Sequence, residues 1–269
     1  MYFEVNGKQV FATTGGKPFD NTKKTVIFLA GSALDHTFWG LHSRFFAFRN
    51  YSVLCLDTPG HSHSEGPALE SIEELGDWVN DVVETLDIAD LSIVAHSQGC
   101  LTALEFVSRH PDRVRSVSLI CSGLATPVND YLLNAAVENP KAAVDMMISW
   151  GFGGAGHLHQ GPIPGNSMAG GGYKIMWRNS PNELAVDLNA CNNYKNGKAA
   201  AAAISCPTQV LIAGKDRMAP AKATAALVDH LNDPEVERIA DSGHMLPLEA
   251  PNRCRTLLRD FIFSNNPSQ

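Results

Sequence analysis

One serine stands where its hydroxyl group could act as a nucleophile. The apolar run Leu91–Ala95 predicts a strand, and a helical pattern begins just after Ser97. A serine on such a strand-to-helix turn is presented at the carboxyl end of the sheet, and small residues must flank it because the turn is tight. Ala95 and Gly99 stand two positions to either side. The pattern therefore favours a nucleophilic serine, although a serine that caps a buried helix would also fit it.

A carboxylate and an imidazole later in the chain could complete this chemistry. Asp216 follows the apolar run Thr208–Ala213 in a Gly-Lys-Asp turn, and His244 follows Gly243 on a loop before a helix. Alone, Asp216 could cap a helix that begins near Pro220, and a lone histidine is more often structural. A serine hydroxyl becomes a good nucleophile when a neutral imidazole takes its proton, and the imidazole needs a carboxylate to fix its tautomer. Together the three residues predict acyl-transfer chemistry.

A regular alternation of strands and helices predicts a sheet that would bring these groups to one edge. Strand-length apolar runs lie at Thr25–Leu29, Ser52–Leu56, Leu91–Ala95, Val114–Cys121 and Thr208–Ala213. Apolar stripes of helical period lie at Ile72–Leu86 and Gln98–His110. This alternation implies parallel pairing, whereas Met1–Phe11 alternates like an antiparallel edge hairpin. Open α/β sheets place their sites at the carboxyl ends of the strands, where all three groups are expected.

Residues 124–203 interrupt the alternation. They carry helical patches, a glycine-dense stretch at 151–172 and the alanine run Ala199–Ala203, without the pattern of a central strand. Long insertions of this kind are usually functional covers or binding elements. We therefore predict an α/β core made of residues 1–123 and 204–269, with residues 124–203 inserted as a helical cap or lid.

Composition and charge argue against several classes of function. The chain has 269 residues and a formal net charge of −7, without a run rich in lysine or arginine, so a nucleic-acid-binding surface is not expected. The apolar runs fall short of the roughly 20 residues that cross a bilayer, and the polar residues within 1–10 argue against a signal peptide. We expect a small-molecule substrate, no nucleic-acid or membrane partner, and a monomer or homodimer.

The cysteines and histidines do not predict a metal site. The six cysteines are scattered, and several lie in apolar runs, as small buried residues do. His61 with His63, and His157 with His159, have the spacing of ligand pairs, but neither pair has a cysteine or carboxylate at metal-site spacing. We therefore expect no metal, no cofactor and a reducing, cytoplasmic location.

In chain order, these motifs resemble the α/β-hydrolase family, in the branch that has one catalytic domain and a helical cap. The resemblance covers essentially the whole chain. Residues 28–33 read Phe-Leu-Ala-Gly-Ser-Ala after an early strand, and residues 57–64 read Asp-Thr-Pro-Gly-His-Ser-His-Ser. The chain departs from the family at Ala30, which replaces a histidine, at Ala95, which replaces the first glycine of the elbow, and at Ser62, where relatives often have glycine.

The resemblance implies a role for each member of the triad. Ser97 would attack a carbonyl carbon, His244 would shuttle the proton, and Asp216 would orient His244. Haloalkane dehalogenases and epoxide hydrolases of the family use aspartate at the elbow, so the serine excludes their mechanism. The implied fold is the α/β-hydrolase fold, a mostly parallel central sheet flanked by helices, with an inserted helical cap.

An oxyanion hole and a substrate pocket are expected near the serine. The resemblance implies that the backbone N–H groups of Gln98 and Ser32 form the hole, with Ala33 as the alternative to Ser32. The predicted cap is rich in methionine and aromatic residues, which either form its own core or line an apolar pocket. The residues that we expect to line the substrate pocket are Ala33, Met146, Trp150, Met168, Trp177 and Met245.

The implied reaction is hydrolysis of a small-to-medium apolar carboxylic ester through an acyl-enzyme intermediate. Thioesterases, lactonases, amidases and diketone hydrolases use the same triad and stay open as alternatives. A cofactor-free dioxygenase of this fold typically places its acid earlier, but no carboxylate ends the run Val114–Cys121 and the nearest is Asp130. A small-molecule receptor that keeps the triad without turnover is a further alternative. The intact triad favours an enzyme.

Overall fold

Eight strands form one sheet in the computed structural model, which describes residues 1–157, 165, 167–179 and 182–267. From edge to edge the strands are β1 (Tyr2–Val5), β2 (Lys8–Thr13), β4 (Ser52–Leu56), β3 (Thr25–Leu29), β5 (Leu91–His96), β6 (Val114–Ile120), β7 (Thr208–Ala213) and β8 (Glu235–Ile239). β2 is antiparallel to both β1 and β4, and the remaining neighbours are parallel. The predicted mostly parallel α/β sheet is confirmed.

The sequence pattern does not predict β8. Its five residues read Glu-Val-Glu-Arg-Ile, and their charged side chains hide the apolar run that marks the other strands. β8 lies at the edge of the sheet beside β7, where charged residues are common because they discourage pairing with other chains. The strand matters for function because the loop after it carries His244.

Helices cover both faces of the sheet. Outside residues 124–203, the α-helices of the described chain are α1 (Gly40–Ala47), α2 (Ile72–Thr85), α3 (Gln98–Arg109), α10 (Ala221–Val228), α11 (Leu246–Glu249) and α12 (Pro251–Asn265). Buried side chains of α2, α3 and α10 belong to the same apolar cluster as Ile27 and Leu29 of β3. Those of α1 and α12 belong to a second cluster with Val26 and Phe28, on the opposite face. Each such buried side chain contributes about 1.5–3 kcal/mol to folding.

Among the described residues between β6 and β7 there are six helices and no strand. They are α4 (Asp130–Glu138), α5 (Pro140–Gly151), α6 (Gly154–His157), α7 (Met168–Arg178), α8 (Asn182–Asn193) and α9 (Gly197–Ala203). The alanine run of α9 packs against α3, and Ala200 and Ala201 are buried there. Across the described chain, no helix has both the length and the apolar character needed to cross a bilayer.

The junction between β5 and α3 has room only for very small side chains. A Cβ atom at Gly99 would lie 2.6 Å from Leu29 O and 2.7 Å from Ala30 O. A Cβ atom at Gly31 would lie 3.0 Å from Ser97 Cβ. Because Leu29 O belongs to a central strand, it cannot move away without disturbing the sheet. The small residue that the sequence places after the serine is therefore required by the close approach of α3 to β3.

We expect Gly99→Ala to destabilise the protein, because the added methyl group would press against the two carbonyl oxygens. Overpacking of this kind costs about 1–3 kcal/mol. Gly40→Ala is the matched control, since an added Cβ at Gly40 would meet nothing within 4 Å. Chemical denaturation measures the free energy of unfolding of both variants. Equal stabilities for the two variants would contradict the steric explanation.

Candidate active site

Ser97 forms the turn between β5 and α3 in a left-handed backbone conformation. Its φ is 53° and its ψ is −120°, a region that residues other than glycine rarely adopt. A conformation of this kind costs on the order of 1–3 kcal/mol and persists only where the surrounding packing imposes it. The Ser97 N–H group donates to Ile120 O at 3.0 Å, which ties the turn to β6. The same turn places Ser97 in the lining of a cavity.

Three side chains from three separate loops meet at this turn. Asp216 lies in the loop after β7, and His244 lies in the loop after β8. His244 Nδ1 lies 2.8 Å from Asp216 Oδ2, and His244 Nε2 lies 3.0 Å from Ser97 Oγ. With the proton of the imidazole on Nδ1 and shared with the carboxylate, Nε2 is free to accept the serine proton. The arrangement can therefore move a proton from Ser97 to His244.

Asp216 is held as a carboxylate. Burial raises the pKa of Asp216. The charge of His244 and the hydrogen bonds to the carboxylate lower the pKa by more, so the net shift is downward. The N–H groups of Met218 and Ala219 each donate to Asp216 Oδ1 at 2.8 Å. A lowered pKa keeps the acid ionised at neutral pH, so it can stabilise a positive charge on His244.

A second histidine, His96, supports the first. It is fully buried at the end of β5, and its Nε2 donates to the carbonyl oxygen of His244 at 2.9 Å. Burial lowers the pKa of His96 to about 3, so the ring is neutral at physiological pH. The sequence does not identify His96 as part of the site, because a histidine that ends a strand carries no signal of what its ring will contact.

The N–H groups predicted to stabilise an oxyanion come from residues 30–35, here called the β3 loop, and from the start of α3. Gln98 opens α3, where the first N–H groups of a helix have no acceptor within the helix. Ser32 lines the cavity together with Ser97. The Ala33 N–H group donates to Asp187 Oδ2 at 2.7 Å and is therefore engaged. The geometry favours Ser32 over Ala33 as the second donor.

A second buried acid–imidazole pair lies behind the β3 loop. His61 Nε2 lies 2.9 Å from Asp187 Oδ2, and both side chains are almost completely buried. Burial lowers the pKa of His61, but the negative charge of Asp187 outweighs this effect and the pKa rises to about 9. His61 is therefore an imidazolium at neutral pH. The sequence does not predict this pair, because no local pattern links α8 to the loop after β4.

Glu249 connects the loop before His244 to the segment between β6 and β7. Its Oε1 accepts from the Gly243 N–H group at 3.0 Å, and its Oε2 accepts from the Gly153 N–H group at 2.9 Å. Burial raises the pKa of Glu249 above its usual range. The Met245 N–H group also donates to Gly151 O at 3.1 Å. These contacts hold the end of α5 against the histidine loop.

A cavity of about 170 Å³ lies beside Ser97 and His244. Pockets for drug-sized ligands typically have volumes of roughly 300–1,000 Å³, so this cavity suits a smaller molecule. Most of its walls are apolar, and much of the lining comes from α4, α5, α7 and α8. The apolar lining includes Leu132, Met147, Trp150, Met176, Leu188, Met218 and Met245.

Trp150 and Met245, two of the residues expected to line a substrate pocket, do line this cavity. Met146 is absent from the lining, and its neighbour Met147 takes that position. Adjacent residues on a helix point about 100° apart, so a sequence rich in methionine does not by itself tell which one faces the site. Ala33 is also absent from the lining, since its side chain is fully buried within the β3 loop.

Met168 and Trp177 also lie outside the lining, for two different reasons. Met168 is buried in the apolar cluster that the helices between β6 and β7 share with one face of the sheet and with α1 and α12. Trp177 is 44% exposed and stacks on Tyr173, with ring centroids 6.3 Å apart. α7 instead presents Met176 to the cavity.

Two groups of side chains bring metal-ligand atoms close together within the described residues. They are His96, Cys121 and His244, and Asp35, His36 and Asp57. In the first group, both ring nitrogens of His244 are bound by Ser97 and Asp216. In the second, Asp57 binds the His36 ring at 2.9 Å and Asp35 binds Arg178 and Asn179. Protein partners therefore already bind the ring of His244 and the carboxylates of Asp35 and Asp57.

Of the two histidine pairs with ligand-like spacing, His61 and His63 have different partners and do not form a shared site. His61 binds Asp187, whereas the His63 ring packs against an aromatic ring of β2. His157 Nε2 lies 3.2 Å from a backbone carbonyl oxygen of α5. His159 lies outside the described residues.

Residues 26–256 match the model of the alpha/beta hydrolase family. The chain belongs to this family. The match spans the strands β3 to β8, which carry the turn at Ser97 and the loops of Asp216 and His244. The resemblance inferred from the motifs and the predicted fold class are thereby confirmed.

Relatives of this alpha/beta hydrolase include lipases and esterases. It is 24% identical over 279 residues to "Monoacylglycerol lipase abhd6-A" of Xenopus laevis, an alignment that covers 94% of this chain and 78% of the relative. The enol-lactonase of Burkholderia xenovorans LB400 superimposes with a TM-score of 0.86 at 22% identity, over 97% of this chain and 99% of the other. A thermophilic esterase from Thermogutta terrifontis gives 0.84 at 18% identity, over 98% of both chains. These structures share its fold.

We expect the stability contributed by His61 to fall as the pH rises. Its pKa is raised to about 9 in the folded protein, so the stabilisation is complete below the unfolded value near 6.5 and is lost as the pH passes 9. The carboxylates whose negative charge raises this pKa are Asp187, which binds the ring, and Glu183, both on α8.

The measurement compares the free energy of unfolding of the wild type and His61→Gln between pH 6 and pH 10. The deficit of the variant should be largest near pH 6 and shrink towards pH 10. A deficit that stays constant or grows with pH would contradict the charged state assigned to His61.

Proposed function

We propose that this chain is a serine hydrolase that cleaves carboxylic esters through an acyl-enzyme intermediate. The observation that carries the proposal is the continuous hydrogen-bonded path from Ser97 Oγ through the His244 ring to Asp216, beside a cavity. The serine also sits at a helix N-terminus, where backbone N–H groups and the helix dipole favour a developing negative charge.

In the first half of the proposed reaction, Ser97 Oγ attacks the ester carbonyl carbon while its proton moves to His244 Nε2. The imidazolium that forms is stabilised by the carboxylate of Asp216 at 2.8 Å. The tetrahedral intermediate collapses when the C–O bond to the alcohol breaks, and His244 gives its proton to the departing oxygen. The acyl group is left on Ser97.

In the second half, a water molecule replaces the alcohol. The oxygen of the water attacks the acyl carbon while His244 accepts a proton from the water. His244 then gives that proton to Ser97 Oγ as the carboxylic acid leaves. The N–H groups of Ser32 and Gln98 would bind the oxyanion in both halves. Loss of one such donor typically costs about 2.7–4 kcal/mol of transition-state stabilisation.

The apolar cavity favours a small ester with a short acyl or alcohol group. We propose that residues 124–203 act as a cap, because α4, α5, α7 and α8 supply much of the lining around the serine. The names of relatives agree with cleavage of an ester bond, since they include a monoacylglycerol lipase and an esterase. The small volume favours a shorter chain than the fatty acyl group of a lipid.

We expect a small fluorophosphonate to form one covalent adduct with the wild type and none with Ser97→Ala. The reagent reacts with an activated serine and therefore does not require knowledge of the substrate. Ser149→Ala, which removes an exposed serine of α5, is the control and should keep the adduct. Intact-mass spectrometry gives the result. An adduct that persists in Ser97→Ala would rule out the proposed nucleophile.

Among p-nitrophenyl esters, we expect kcat/KM to be highest for acetyl to butyryl chains and to fall for decanoyl, because the cavity is small. Met147→Ala should shift the preference to longer chains, since it removes part of a wall. Met146→Ala is the matched control and should keep the wild-type preference, because Met146 does not line the cavity. A shift in Met146→Ala alone would place the pocket elsewhere.

A further inference from the structure

The segment between β6 and β7 holds one residue of the β3 loop by both of its backbone groups. Ala33 is fully buried, and its φ of 53° lies in the left-handed region. Its N–H group donates to Asp187 Oδ2 at 2.7 Å, and its C=O group accepts from Asn179 Nδ2 at 3.2 Å. Asp187 belongs to α8, and Asn179 directly follows α7. Two residues distant in sequence therefore hold the unusual conformation of Ala33.

The carboxylate of Asp187 contacts both segments that carry the proposed oxyanion donors. Its Oδ2 binds Ala33, the residue next to Ser32, and its Oδ1 accepts from Gln98 Nε2 at 3.2 Å. The carboxylate is small and planar, and Asp187 is only 3% exposed. A single group with little freedom thus sets the spacing between the β3 loop and the start of α3.

The third partner of Asp187 balances its charge. His61 Nε2 donates to Oδ2 at 2.9 Å, and the other ring nitrogen, Nδ1, lies 3.0 Å from Thr58 Oγ1 and 3.1 Å from Pro59 O. A buried carboxylate is tolerated only when it is paired and fully hydrogen-bonded. An asparagine at this position would have one acceptor oxygen and would turn an N–H group towards at least one of the donors.

Asn179 reinforces the same arrangement. Its Oδ1 accepts from the Ser62 N–H group at 2.8 Å, and its Nδ2 lies 3.0 Å from Asp35 Oδ2. Asn179 is 1% exposed. The β3 loop and the loop after β4 are therefore joined through one amide, as they are through Asp187 and His61.

We infer that Asp187 is a positioning residue for the oxyanion hole: by binding Ala33, Gln98 and His61 together, it holds the N–H groups of Ser32 and Gln98 at the spacing that an oxyanion requires. This role rests on the proposed function of Ser97. It makes the inserted helices part of the catalytic frame as well as the wall of the cavity.

A positioning role predicts a specific kinetic signature. Oxyanion donors interact most strongly with the tetrahedral transition state, so displacing them lowers kcat and leaves KM almost unchanged. A residue that only stabilised the fold would lower the Tm without changing kcat of the folded enzyme. A residue that only shaped the pocket would change KM.

The test compares Asp187→Asn with Asp145→Asn, the same chemical change at an exposed site on α5. On p-nitrophenyl butyrate, we expect Asp187→Asn to lower kcat about 10- to 100-fold, the effect of a small misplacement of catalytic groups, with KM within about threefold of the wild type. A trifluoromethyl ketone, whose serine adduct places an oxyanion in the hole, should bind more weakly by a similar factor. The parent methyl ketone should bind as before, and Asp145→Asn should match the wild type throughout.

Amide hydrogen exchange provides a readout that does not depend on activity. Residues 30–34 should exchange faster in Asp187→Asn than in the wild type and Asp145→Asn. Wild-type kcat together with wild-type inhibitor affinity in folded Asp187→Asn would overturn the role, and so would a rise in KM alone. If Asp187→Asn does not fold, Gln98→Met replaces it, because it removes the amide that donates to Asp187 Oδ1. A smaller loss of kcat is expected, and an unchanged kcat would again overturn the role.

The failure of the proposed function would be recognised separately. A wild type that neither turns over esters nor reacts with the fluorophosphonate would refute the hydrolase, whatever Asp187 does. In that case the exchange comparison still decides whether Asp187 holds the β3 loop, since unchanged exchange of residues 30–34 would overturn that part as well.

Discussion

The left-handed turn at Ser97 constrains the packing of everything around it. With a φ of 53° the chain leaves β5 and enters α3 within one residue, so the helix begins directly against β3. Gly99 and Gly31 are small because carbonyl oxygens and the serine itself fill the space that a side chain would need. The neighbouring strand β6 accepts the Ser97 N–H group. A strained turn of this kind persists because the centre of a buried sheet leaves the backbone no alternative.

Two buried pairs of aspartate and histidine use the same chemistry for different ends. In each pair a carboxylate accepts from a ring nitrogen within 2.9 Å and from further N–H groups. The second nitrogen of His244 faces Ser97 Oγ, so this nitrogen can accept the proton of the serine. The second nitrogen of His61 is bound by Thr58 and Pro59 of the same loop, so the charge of His61 serves only to hold Asp187. The groups around each pair, and not the residue types, therefore determine whether the histidine can transfer a proton or only forms a structural ion pair.

The sequence predicts the elements that have a local signature. The strands β3, β4 and β7 have the predicted bounds, because each is a short apolar run between turn-forming residues. The serine turn and the position of Asp216 are also readable, since each follows a predicted strand. His244 is readable from the Gly-His loop before a helix and from its order in the chain. β8 escapes prediction because an edge strand with charged residues lacks an apolar run. The sequence does not predict that Met147 lines the cavity, because only the orientation of α5 decides whether Met146 or Met147 faces it.

The sequence by itself determined the family, the central strands, the small residues around Ser97 and the three candidate catalytic residues, because each of these depends on patterns within a few neighbouring positions. Only the tertiary structure decided which backbone groups of the β3 loop are free, which methionines reach the cavity, and that Asp187 binds His61. These contacts join residues that are far apart in the chain. Asp187 and His61, for example, are separated by 126 positions. Local spacing carries no information about them, since the packing of separate elements sets their distances and their charges.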